Sequence, residues 1–72
     1  MGAAATPTKL AGHFREAIVR THEELIQLRR DLLVISDDLL TDGQAGAAAR
    51  IQTNCAIVSR MAAGLAADLD VE

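Results

Sequence analysis

The sequence predicts an all-α protein, an antiparallel two-helix hairpin that associates into a helical bundle, most simply a four-helix-bundle dimer. Apolar residues recur at helical spacing over two long segments, and a turn sequence at residues 41–44 separates these segments. No segment has the alternating pattern of a strand. The apolar surface exceeds what two helices can hide from each other, so we expect a further chain to cover the rest.

The size of the chain also favours association. With 72 residues it corresponds to one domain near the lower limit for an independent core. Its single cysteine, Cys55, cannot form an internal disulfide, and no zinc-type cluster of Cys and His is present. A free cysteine fits a reducing compartment. Residues 1–6 lack the regions of a signal peptide, and no apolar run is long enough to span a bilayer. We therefore expect a cytoplasmic protein without a membrane partner.

The first helix is predicted over residues 7–41, after a disordered tail at residues 1–6. Thr6 offers a hydroxyl N-cap, and Pro7 suits the first helical position. From there the apolar residues alternate steps of four and three, with Thr21 as the one polar member of a heptad-like seam. The seam residues are Phe14, Ile18, Thr21, Leu25, Leu28, Leu32, Ile35 and Leu39.

A second apolar column runs along the same helix, about 100° around its axis from the Ile18 column. It repeats every seven residues as Val19, Ile26, Leu33 and Leu40. Polar residues lie between the two columns, at Arg15, His22, Arg29 and Ser36. An arc of this width exceeds the seam of a two-stranded coiled coil and favours a bundle of three or more helices.

The chain is predicted to reverse at Asp42-Gly43, because Gly43 can adopt the left-handed conformation that ends a helix. Thr41 and Gln44 form a capping-box pattern for the second helix, and Asp42 is an alternative N-cap. A helix that continues through Gly43 is the disfavoured alternative. The second helix is predicted over residues 44–69 and is rich in Ala, so that another helix can approach closely. Its seam comprises Ala48, Ile51, Cys55, Val58, Ala62, Leu65 and Leu69.

Folding the chain at this turn leaves the start of the first helix without cover from the second. In this antiparallel register Cys55 lies near Arg30, and Leu10 and Phe14 have no partner within the chain. An uncovered pair of large apolar residues indicates contact with a second chain. The predicted protein interface comprises Leu10, Phe14, Ile18, Leu25, Ile26, Leu28, Leu32, Leu33, Val58 and Leu65.

These features favour a non-enzymatic protein–protein interaction module, such as a small regulator, an adaptor or an assembly or chaperone-like subunit. Its expected partners are a second copy of itself, a helical protein, or both. In size and shape alone, the hairpin is similar to small hairpin co-chaperones of bacterial secretion systems, and no motif identifies it as a member. We expect no catalytic residue, metal or cofactor, because two helices enclose no pocket and no nucleophile–base pair is present.

Two other classes of function stay open at this point. A metal or redox sensor would bring His22 and Cys55 together from different chains, although a thiol on an apolar seam is more typical of packing. A small nucleic-acid-binding dimer would use Arg20, Arg29 and Arg30. A net charge of −3 and a single aromatic residue argue against nucleic acid as a partner.

Overall fold

The computed structural model describes residues 11–70, which form two long helices packed against each other as an antiparallel hairpin. Helix α1 spans Gly12–Thr41 and helix α2 spans Ala45–Leu69. No strand is present among these residues. The predicted all-α hairpin is therefore confirmed, whereas its assembly into a four-helix bundle stays a prediction.

Helix α1 begins later than the sequence predicts. Ala11 is the N-cap and has extended backbone angles, with φ −62° and ψ 147°. The prediction that the helix is continuous from Pro7 is therefore wrong at Ala11. The reason is local, because Gly12 has a low helix propensity and alanine offers no side-chain acceptor at the cap. Thr6 and Pro7, like the predicted tail, lie outside the described residues.

The reversal between the helices is built on Gly43, which has a positive φ of 78°. The amide of Gly43 donates to the carbonyl oxygen of Leu40 at 3.1 Å, and the amide of Gln44 donates to that of Leu39 at 2.8 Å. This pair of bonds is the Schellman motif, in which a left-handed residue follows the helix end. The predicted end of α1 at Thr41 and the predicted role of Gly43 are both confirmed.

The predicted capping box is not formed. Gln44 is the N-cap of α2 and makes no side-chain capping hydrogen bond. The Thr41 hydroxyl donates instead to the carbonyl oxygen of Asp37 at 3.1 Å, inside α1. A threonine inside a helix commonly makes this bond, because its hydroxyl lies beside the carbonyl oxygen four residues earlier. Asp42, the alternative cap, is the C-cap of α1.

Two long-range contacts fix the register of the hairpin. The Cys55 thiol donates to the carbonyl oxygen of Arg29 at 3.9 Å. The Arg15 guanidinium donates through Nη1 to the carbonyl oxygen of Leu69 at 3.4 Å. Cys55 thus faces Arg29, one residue from the position that the turn predicts.

The core between the helices is thin and made of small side chains. No member of the predicted α2 seam is exposed, which confirms that this stripe faces α1. The buried residues are Ala48, Cys55, Val58 and Ala62 of α2 and Ser36 of α1. The described part of the chain contains no large side chain that is fully buried. Because small side chains remove little apolar area from water, this contact alone stabilises the hairpin only weakly.

Candidate functional site

The hairpin is a single layer of two helices. Its two broad faces are consequently not covered by another element of the described chain. Large hydrophobic side chains are exposed at Phe14, Val19, Leu28, Leu33, Val34, Ile35, Leu40, Ile57 and Met61. Single exposed apolar residues are ordinary, but a set that recurs at helical spacing forms a patch and indicates an interaction surface.

Helix α1 turns the middle of its wide apolar arc toward α2. Apart from Ala17 and Ile26, the residues of α1 that are withdrawn from solvent belong to two neighbouring columns: Ile18, Leu25, Leu32 and Leu39, and Arg15, His22, Arg29 and Ser36. The contact line therefore runs between the inner apolar column and the polar column. The spacing of apolar residues could not predict the position of this contact line, because all apolar columns of the arc have the same spacing. The apolar columns on either side of the line are left on the two faces.

One of these flanking columns consists of Phe14, Thr21, Leu28 and Ile35, all exposed. Its Thr21 lines an open cavity of about 460 Å³ at the shoulder between the helices. The other lining residues are Leu25, Met61, Gly64, Leu65 and Asp68. The Thr21 column and Met61 thus lie on one side of the hairpin. We name this side the pocket face, and its exposed apolar residues include Phe14, Leu28, Ile35 and Met61.

The other flanking column consists of Val19, Ile26, Leu33 and Leu40. Leu33 follows Leu28 by five residues and so lies about 140° further around the helix. This column therefore borders the other side of the contact line, which we name the opposite face. Its inner neighbour is the polar column, so that the aliphatic strip runs beside Arg15, His22 and Arg29. The two faces of the hairpin are both apolar but differ in charge.

The nine predicted interface residues within the described part of the chain fall into three groups. Phe14 and Leu28 are exposed on the pocket face, whereas the exposed Leu33 and the half-buried Ile26 lie on the opposite face. Leu10 lies outside the described residues. The others are buried or half-buried along the contact between the helices: Ile18, Leu25, Leu32, Val58 and Leu65. Their contact with another chain stays a prediction.

Ile35 and Met61 are exposed apolar residues of the pocket face that were not among the predicted interface residues. Ile35 belongs to the same column, repeated every seven residues, as Phe14 and Leu28. This repeat in the sequence could have identified Ile35 as an interface residue. Met61 flanks the apolar stripe of α2. Only the cavity beside Thr21 shows that Met61 shares a face with the α1 column.

His22 and Cys55 are not brought together within one hairpin. The Cys55 thiol faces Arg29, which is seven residues and hence about 10 Å along α1 from His22. Cys55 is buried, and His22 is half-buried. The described residues contain no group of three or more His, Cys, Asp and Glu placed to hold a metal ion. A pairing of His22 with Cys55 across chains would require this buried thiol to become accessible.

We expect Cys55 to react with a disulfide reagent such as DTNB about tenfold more slowly, or slower still, in the folded protein than in denaturant. The thiol is buried, so reaction waits for the helices to separate, and an opening free energy of about 1.4 kcal/mol already gives a factor of ten. Absorbance kinetics measure both rates. As a control, Thr53→Cys adds an exposed thiol on the same helix and a fast phase of equal amplitude. Equal rates for the two thiols would contradict the burial of Cys55.

The three arginines considered for nucleic-acid binding differ in their surroundings. Arg20 and Arg30 are exposed, whereas Arg29 is half-buried at the contact with α2. The backbone oxygen of Arg29 accepts the bond from Cys55. The guanidinium groups therefore do not form one equally accessible strip.

Comparison with known proteins gives no relative: no family model, no curated protein and no solved structure matches the chain. Within residues 11–70, neither helix combines the length and the apolar character needed to cross a bilayer.

Proposed function

We propose that this chain is a non-enzymatic protein–protein interaction module that works through self-association of its hairpin. The observation that carries the proposal is the pair of apolar columns left uncovered on the two faces of a single-layer structure. Apolar columns of this length in water favour association, because burial of each large aliphatic side chain contributes on the order of 1.5–3 kcal/mol.

The exposure of the large side chains supports this proposal. Within residues 11–70, Phe14, Leu33, Val34 and Met61 are each more than half exposed. Burial of these side chains against a further chain would remove their apolar area from water, which favours association.

The composition of the core supports the same proposal. The contact between the helices buries mainly alanine, cysteine, valine and serine. Conformational entropy opposes the folding of every residue in the hairpin, and small side chains return little free energy on burial. Association would add the missing burial through the larger residues of the exposed columns. Folding and association are thereby coupled, as in many small obligate dimers.

A hairpin that self-associates through one face leaves the other face for a helical protein partner. This arrangement fits a small regulator, an adaptor or a chaperone-like subunit, and a free cysteine is compatible with action in the cytoplasm. A strip of aliphatic side chains at seven-residue spacing is the type of surface that an amphipathic helix recognises.

Light-scattering mass measured with circular dichroism on the same sample tests the proposal. We expect a helical species of at least twice the chain mass, and we expect helicity and mass to decrease together on dilution. The two signals fall together because an isolated hairpin has too little core to stay folded. A stable, fully helical monomer at all concentrations would refute self-association. A poorly helical monomer would instead indicate that folding needs a different protein.

A further inference from the structure

We infer that a second copy of this chain docks on the pocket face, in an antiparallel two-fold arrangement centred on Leu28. The partner's Ile35 would then occupy the cavity beside Thr21. This inference rests on the proposed self-association and specifies its surface and its geometry.

The pocket face suits burial better than the opposite face because of the residues along the contact line. On the pocket face the inner neighbour of the exposed column is apolar throughout: Ile18, Leu25, Leu32 and Leu39. On the opposite face the inner neighbour includes Arg15, His22 and Arg29. Withdrawal of further guanidinium surface of Arg15 and Arg29 from water costs free energy that the burial of apolar side chains does not. The acidic residue of the cavity, Asp68, is exposed and can stay in solvent at the rim.

The shape of the pocket face indicates a second copy rather than an unrelated protein. A two-fold interface must be complementary to itself, so that each feature meets the feature on the other side of the axis. Thr21 is the small member of its column and borders the cavity, whereas Ile35 is a large exposed member. Each lies seven residues, or about 10.5 Å, from Leu28. A two-fold axis beside Leu28 therefore places the Ile35 side chain of each chain over the cavity of the other chain.

The charges near the turn favour the antiparallel arrangement over the parallel one. Asp37, Asp38 and Asp42 lie at or next to the turn and are exposed. A two-fold axis parallel to the helices would place both turns at the same end, where like charges repel. An axis across the helices separates the two turns by roughly the 45 Å length of α1. It also stacks α1 on the α1 of the partner, which is the contact that brings Ile35 to Thr21.

A matched pair of substitutions tests which face is used. Leu28 is 43% exposed and Leu33 is 52% exposed, on the same helix and on different faces. We expect Leu28→Asp to weaken dimerisation roughly a hundredfold or more, because two carboxylates would meet at the axis. We expect Leu33→Asp to leave the dissociation constant within about threefold, as for a residue outside the interface. Analytical ultracentrifugation of both variants and of the unsubstituted chain measures the three constants.

Cross-linking gives a second readout that needs no destabilising charge. We expect Leu28→Cys, oxidised with glutathione disulfide, to form a disulfide-linked dimer, since each Leu28 faces its symmetry mate. Leu33→Cys is expected to stay monomeric on a non-reducing gel, and buried Cys55 provides the background in both variants. The double variant Thr21→Cys/Ile35→Cys should also cross-link, which checks the register.

The possible outcomes separate this inference from the proposed function. If the unsubstituted chain is a monomer, self-association itself is wrong. If the chain is a dimer but Leu33→Asp dissociates it, or Leu33→Cys cross-links while Leu28→Cys does not, the interface lies on the opposite face and the inference alone is overturned. A Leu28→Asp variant that is both monomeric and unfolded supports it only when Leu28→Cys also cross-links.

Discussion

Ala48→Asp is expected to abolish the hairpin at neutral pH. Ala48 is 0% exposed and lies in α2 at the contact with α1. By the register of the hairpin Ala48 lies level with Ser36, which Asp37 and Asp38 follow directly in α1. A carboxylate at this position would lose its water and would face like charges instead of a cation. The expected cost is about 3 kcal/mol or more.

That cost is large compared with the stability available to this chain. A domain of 72 residues has a free energy of unfolding of roughly 4–10 kcal/mol, and the thin core places this one toward the lower end. We therefore expect most of the helical circular dichroism signal to disappear, or the thermal midpoint to fall by more than about 12 °C. Helicity should partly return at acidic pH, because protonation removes the buried charge.

The adjacent residue provides a matched control for this experiment. Ala49 is also an alanine of α2, but it is exposed. Ala49→Asp adds the same charge and the same loss of helix propensity, so its effect is expected to stay below about 1 kcal/mol. A comparable loss of helicity in both variants would show that the alanine stripe does not face α1 as the structure places it.

The sequence predicts the contact face of α2 well because the large apolar residues of that helix, apart from Ile57 and Met61, form one stripe. Its seam forms a single stripe, and the stripe is the contact with α1 that the structure shows. The turn is predictable for a similar reason, since Gly43 is the one residue near the break that enters the left-handed region without strain. The turn depends on the local chemistry of one residue, and the α2 stripe depends on one helical repeat of apolar residues.

The orientation of α1 could not be predicted in the same way. Its apolar arc is wider than one helix contact, so the period gives equal weight to Leu25, which packs toward α2, and to Leu28, which does not. The close approach of the two helices determines which part of this apolar arc packs against α2. Ser36 is buried because Ala48 lies level with it and leaves room for the two backbones. Arg29 tolerates the contact because its aliphatic stem can pack while its guanidinium reaches water.

The candidate interface likewise combines residues that the helical spacing identifies with residues that only the folded hairpin brings together. Phe14 and Leu28 follow from the spacing in α1. The cavity beside Thr21 does not, because it depends on the position of Met61 and Gly64 across the hairpin. Side chains that meet across two helices have no fixed separation in sequence, so that only the register of the folded hairpin brings them together.

Ala62→Leu is expected to separate the helices by overpacking their contact. Ala62 is 3% exposed, and with Ala48 it belongs to the small-residue stripe that sets how closely α2 approaches α1. Ala62 does not line the cavity beside Thr21 and Leu65, so a leucine at this position adds its volume to the contact between the helices. The extra volume must push the helices apart or force strained rotamers, at a cost of about 2 kcal/mol. For a domain of this size the thermal midpoint would fall by roughly 10 °C.

The next residue again gives the control, and together the two variants test whether tight packing or hydrophobicity limits the stability of the hairpin. Ala63 is exposed on α2, so Ala63→Leu adds the same side chain without disturbing the contact and should change the midpoint by less than about 3 °C. Thermal melts followed by circular dichroism, at matched concentration, compare the two. If Ala62→Leu raised the midpoint, the contact would be loosely packed and short of apolar volume. The large effect predicted at Ala62 and the small effect predicted at Ala63 follow from a contact stripe whose residues are small because the helices lie close together.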